Sequence, residues 1–160
     1  MDPLPSHSEG DAWRFLGEGG PTVRALAELA ARQWIAERRS VDQIAPRLSL
    51  EAKTLLSLAG PRGTLELKAT NVEFDSAERM LTVHVERSAH EQIRFRRAGD
   101  VRLAIRFLEA FRELCEFGLV VHQLNHEFAL SRRGFELAAC IDHDEVAAVV
   151  ELGEVVGWSG

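Results

Sequence analysis

The chain is nearly devoid of lysine: Lys53 and Lys68 are the only two in 160 residues. Arginine carries almost all of the positive charge, which suits bidentate pairing with carboxylate, phosphate or guanine and also follows from codon composition alone. There are two cysteines, Cys115 and Cys140. Both fall on predicted helices among apolar residues and read as buried thiols, not as a disulfide or a Cys-rich zinc site. No apolar run approaches the roughly 18–20 residues of a membrane-spanning helix. The opening MDPLPSHSEGD carries acids and prolines where a signal peptide has a basic start and an apolar centre, so the expected location is cytoplasmic. A phosphate-cradling glycine loop, an HExxH helix, a nucleophile elbow and a Cys–His pair in recognisable context are all missing. His122, His126 and His143, with Asp142 and Asp144, match no metal-ligand spacing. The chain is therefore read as non-enzymatic, with no cofactor, no metal and no small-molecule substrate. A net charge of −6 argues against uniform attraction to nucleic acid.

What is present suits one globular unit. Apolar residues make up 46% and charged residues 28%, enough for a core without metal or disulfide support. Residues 1–21 are rich in Pro, Gly, Ser and acid and read as a flexible arm, interrupted by Trp13, Phe15 and Leu16. Residues 22–47 read as an N-terminal helical extension. Thr22 would cap a helix to Arg39, with Val23, Leu26, Ala27, Ala30 and Trp34 on one apolar stripe. Ser40 and Gln43 form a capping box.

From Leu48 to Ile141 the pattern becomes mixed. Ser49 opens a helix that ends at Gly60-Pro61. Alternation of apolar and polar residues predicts strands over 64–70, 80–86 and 91–97, with the intervening NVEFDSAER a turn that Val72 and Phe74 could extend into strand. Asp100 caps a strongly apolar helix that ends at Gly118. LVVHQ and EFALS form a hairpin through Leu124, Asn125 and His126. Ser131 caps the next helix, in which Gly134 costs about 1 kcal/mol against alanine. Residues 142–160 form a tail with five acids and no Lys or Arg, where VAAVVEL fits a short helix or an edge strand. Val155, Val156 and Trp158 are expected to pack.

Helix, hairpin, helix is the order of a winged-helix core. The fold class is therefore read as α+β: a winged-helix-like core with an N-terminal helical extension and a β-rich insertion. LSLEAKTLLSLA, GTLELKA, AIRFLEAFRELCEFGLVVH and EFALSRRGFELA carry a resemblance to a bacterial winged-helix-like module of poorly characterised function, found at the C-terminus of multidomain proteins. The chain departs from that module in its middle, which is longer in strand and richer in arginine. The module brings no catalytic residues. The resemblance implies an accessory or sensing domain, with DNA binding and partner binding both open.

Two sets of candidate residues follow. Between Arg87 and Arg106 there are six arginines against two acids, a local excess of positive charge in an acidic chain. Arg94, Arg96, Arg97, Arg102 and Arg106, with Arg132 and Arg133 at the start of the closing helix, are the candidates for nucleic-acid or anion contact. Pairing with acids inside the chain is the competing reading. The hairpin tip carries Leu124 and no Arg or Lys, which favours protein contact over DNA. Val23, Leu26, Trp34 and Leu124 are the candidates for a protein contact. The expected function is a non-catalytic protein-interaction or regulatory adaptor, self-associating or bound to a protein partner, with a DNA-binding regulator as the alternative.

Overall fold

The computed structural model describes residues 9–69 and 80–157. Seven helices and six strands are found among them: α1 (Glu9–Gly17), α2 (Gly20–Ala36), α3 (Val41–Ile44), α4 (Leu50–Ala59), β1 (Thr64–Ala69), β2 (Leu81–Glu86), β3 (Glu91–Arg94), α5 (Val101–Glu116), β4 (Val120–His122), β5 (Glu127–Leu130), α6 (Arg132–Cys140), α7 (His143–Val150) and β6 (Glu154–Gly157). The fold is α+β, with one antiparallel sheet in the order β4-β5-β1-β2-β3-β6.

Local chemistry sets most helix starts. Ser40 and Gln43 make both bonds of the capping box. The side chains of Ser49, Asp100 and Ser131 each accept the backbone N–H three residues on, at Ala52, Leu103 and Gly134, relieving donors that a helix start leaves orphaned. Ser49 is also tied to a distant element: its N–H and hydroxyl both donate to the Glu113 carboxylate on α5, at 2.8 and 2.5 Å.

The sheet's inner face carries Leu65, Leu67, Val83, Val85, Ile93 and Phe128, all buried. Helices α4 and α5 cover it; Phe107 of α5 stacks on Phe95 and Phe111 meets Phe128 edge-on. Helix α2 lies against α5 and β4, while α6 and α7 pack on α4. One continuous core runs from Val23 to Val149. The N-terminal extension and the beginning of the tail are thus built into the same core as the central segment.

Several elements differ from the sequence reading. Residues 9–17, read as part of an arm, form α1, and α2 begins at Gly20, ahead of the Thr22 cap. The strand predicted over 91–97 ends at Arg94, although the Phe95 N–H still bonds the Val83 carbonyl at 3.2 Å and its ring stacks on Phe107 in the core. VAAVVEL is helical in α7, and the edge strand β6 comes just after it. Val155 on β6 is half exposed. The turn read at 71–79 and the packing of Trp158 lie outside the described residues.

Two glycines are fixed by close approach. Gly118 has φ +65°, and a Cβ there would sit 2.8 Å from the Gln33 carbonyl oxygen. A Cβ on Gly134 would sit 2.2 Å from the Leu119 carbonyl oxygen. These contacts let α2 and α6 press onto the loop that enters β4.

The outer sheet face is polar. Glu66 and Arg94 flank His84 in register, and Gln92 bridges Lys68 and Glu66. His84 is 3% exposed, and among the described residues neither ring nitrogen has a hydrogen-bond partner. Burial first, then the positive charges of Lys68, Arg94 and Arg96, hold its pKa down at about 4. The Gln92 side chain acts the other way, but its amide is committed to Lys68 and Glu66 and makes no well-formed bond to the ring.

Candidate interaction groove

The candidate arginines separate into three places. Arg94, Arg96 and Arg97 line one cavity of about 520 Å³ at the end of β3, together with Glu151 and Glu154. Arg94 donates to Glu154 at 3.0 Å, so part of the cavity's positive charge is already answered. Arg97 is exposed and has no carboxylate partner among the described residues. Arg102 and Arg106 lie on the exposed side of α5. Arg106 grips Glu51 on α4 through two guanidinium nitrogens at 3.2 and 2.6 Å. Burial works to raise the Glu51 pKa, but the Arg106 bond and charge outweigh it, and the carboxyl sits below its usual range.

Arg132 and Arg133 stand elsewhere, at the start of α6 beside Trp34 and Gly118. Arg132 pairs with Glu136 one turn on, at 3.3 Å. Arg133 donates to the backbone carbonyl of Glu37, which ties α6 to the end of α2.

The apolar candidates also divide. Val23 and Leu26 are buried in the protein's own core, at 5% and 7% exposure. This corrects the reading of Leu26 as a partner contact, since the protein's own core covers it, whereas Val23, though mostly buried, still lines the groove between α2 and β4. Trp34 and Leu124 are exposed, at 55% and 70%. Trp13, Phe15 and Leu16 on α1 and Ile35 on α2 add exposed apolar surface.

An apolar groove of about 660 Å³ lies between α2 and β4. Val23, Ala27 and Ala31 form its helical wall, one turn apart, and Phe15 closes one end. Val121, His122, Asn125 and His126 form the opposite wall. The alanines keep the helical wall low, which leaves the volume open. Volume and apolar character fall within the usual range of ligand sites.

Strand parity shows what the β4 wall offers. The N–H of Ser131 bonds the Leu119 carbonyl and the N–H of Gln123 bonds the Glu127 carbonyl. Odd-numbered residues of this strand therefore face β5 through their backbone groups. Val120 and His122 direct their N–H and C=O to the other side, where β4 is the edge of the sheet; Val120 is fully buried, so the edge is open at His122. Val121 and His122 project to opposite faces, yet both line the groove, so the groove runs along the strand's open edge. At the rim, Arg24 is engaged by Glu28 at 3.2 Å. Glu18 has no side-chain partner among the described residues.

The histidines are held apart. The His122 ring bonds the Asn125 carbonyl, the His126 ring bonds the Leu67 carbonyl, and His143 meets the Ser57 hydroxyl. No cluster of three metal-ligating side chains is found among the described residues. None of their helices is long and apolar enough to cross a membrane.

Of the groove residues, Phe15 and Val121 carry no site reading in the sequence, Ala27 belongs to the α2 stripe and Ala31 borders it, and His122 is read only against a metal site. The small residues at i and i+4 on α2 were the signal present, but they matter only because an edge strand more than 80 positions away lies opposite them. Comparison with protein-family models, with curated proteins and with solved structures finds no match to this chain.

Proposed function

We propose that this chain is a cytoplasmic, non-catalytic protein-interaction or regulatory adaptor, and that its partner docks in the groove between α2 and β4. The observation that carries this reading is the coincidence of an apolar cavity of about 660 Å³ with an open strand edge. Leu124, exposed at the tip of the hairpin that forms one wall, extends the same surface. At the level of fold the reading is a winged-helix-like domain. In favour of that reading stand α4, α5 and α6 beside the β4-β5-β1 portion of the sheet; against it, β2 and β3 occupy the place before α5 where a helix-turn-helix has its first helix.

Photo-crosslinking from position 31 in cells, paired with light scattering on the purified chain, tests the reading. A discrete adduct from position 31 that is absent from a probe at Arg47 is expected. A second copy as partner would give a dimer in solution. Adducts from neither the groove nor Leu124 would overturn the proposal.

DNA binding is kept as a second reading because Arg94, Arg96 and Arg97 share one cavity. Against it stand Glu151 and Glu154 in that cavity and the engagement of Arg106 by Glu51. A gel shift with random duplex, titrated with salt, decides: no shift at low salt removes this reading.

A further inference from the structure

Resting on the reading of the α2–β4 groove as a partner site, we propose that the partner enters it as an extended peptide. The peptide adds a seventh strand to the sheet at β4, places an apolar side chain against Ala27 and Ala31, and sets a Lys or Arg opposite Glu18. Three observations specify this occupant. The outward N–H and C=O of His122 stand on the groove, and among the described residues neither has a partner. An extended chain satisfies both groups at once, whereas a helix presents no free backbone groups along its side and would bury them unpaired. The space between strand and helix is apolar and bounded by alanine on the helical side, which suits an anchor side chain. Glu18 is the rim carboxylate without an ion pair among the described residues, whereas Arg24 and Glu28 answer each other.

The opposite sheet edge does not offer the same combination. By the same parity Val155 and Gly157 of β6 turn their backbone groups outward, since Arg94 and Gln92 face β6 through theirs. The cavity there, however, carries Arg94, Arg96, Arg97, Glu151 and Glu154 around a small apolar lining of Ala98, Leu152 and Gly153. So charged a surround suits an apolar anchor less well than the α2–β4 groove. The peptide site is therefore assigned to β4 alone.

The test uses the full chain immobilised and a random linear peptide library displayed on phage. Enriched peptides are expected to share an apolar residue with a Lys or Arg beside it, and to shift the amide resonances of residues 120–123. Methylating the peptide's backbone nitrogens at alternate positions should weaken binding roughly tenfold, the loss of about one edge hydrogen bond, with the intervening positions unaffected. Glu18→Lys should lower affinity for these peptides, and Ala31→Trp, at an exposed helical position, should abolish binding with the thermal melt unchanged.

Peptides that bind in the groove with equal affinity whatever nitrogen is methylated, or that bind as helices, overturn strand addition and leave the adaptor function standing. Failure to enrich any groove-binding peptide also overturns it. In that case a crosslink from position 31 still supports a protein partner of another shape, and its absence removes both proposals together.

Discussion

Gly134→Ala sets two physical rules against each other. Alanine is the better helix former by about 1 kcal/mol, so α6 taken alone would gain stability. In the folded protein the new Cβ would lie 2.2 Å from the Leu119 carbonyl oxygen and 3.2 Å from the Leu130 Cβ. Relief requires α6 or the β4 entry to move by roughly 1 Å, and a misfit of this kind costs about 1–3 kcal/mol. The Leu119 carbonyl also holds the Ser131 N–H at 2.8 Å. The Ser131 hydroxyl donates to the Gly118 carbonyl at 2.7 Å. The same displacement loosens both, at about 1 kcal/mol each. Set against the helical gain, the net destabilisation is about 2–4 kcal/mol. For 160 residues that corresponds to a fall in Tm of roughly 4–16 °C. Urea and thermal denaturation measure it. A variant as stable as the parent would refute the close packing of α6 on the β4 entry.

The remaining predictions concern titration and thiol reactivity. His84 has a folded pKa of about 4 against an ordinary 6.5, so the unfolded chain takes up a proton that the folded chain refuses. Its contribution is complete above pH 6.5 and is lost as pH falls toward 4, amounting to about 3 kcal/mol. His84→Leu should flatten this part of the stability profile, measured by urea denaturation across that range; an unchanged slope would contradict the burial of the ring. Cys115 is buried and its thiol pKa is pushed up by burial, then by Glu116, whereas Cys140 is exposed. A thiol reagent should label one group in the native protein and two in denaturant. Rapid labelling of both in the native state would count against the placement of α5.

Helix starts were legible because their signals act within a turn. Ser40, Ser49, Asp100 and Ser131 each bond a backbone N–H three residues away, so residue identity and spacing suffice. The β1, β2 and hairpin strands were legible for a similar reason, since alternation is a property of neighbouring residues. The α1 helix was missed because glycines at 10, 17, 19 and 20 surround it and its nine residues expose Trp13, Phe15 and Leu16 without a buried stripe. The candidate site was the least legible part. The α2 stripe has the same appearance whether it faces another subunit or its own sheet; Leu26 is buried in the core, while Val23, mostly buried, lines the groove.

The sequence by itself determined where helices begin, which segments alternate as strands, and that mixed α and β elements would share one chain. Those properties are set by hydrogen bonds and side-chain periodicity over a few residues. Only the tertiary structure decided the strand order, the pairing of Arg106 with Glu51 and of Arg94 with Glu154 across 55 and 60 positions, and the meeting of α2 with the open edge of β4. Ion pairs and grooves depend on which distant segments the core brings together, and one sequence read along its length does not contain those distances.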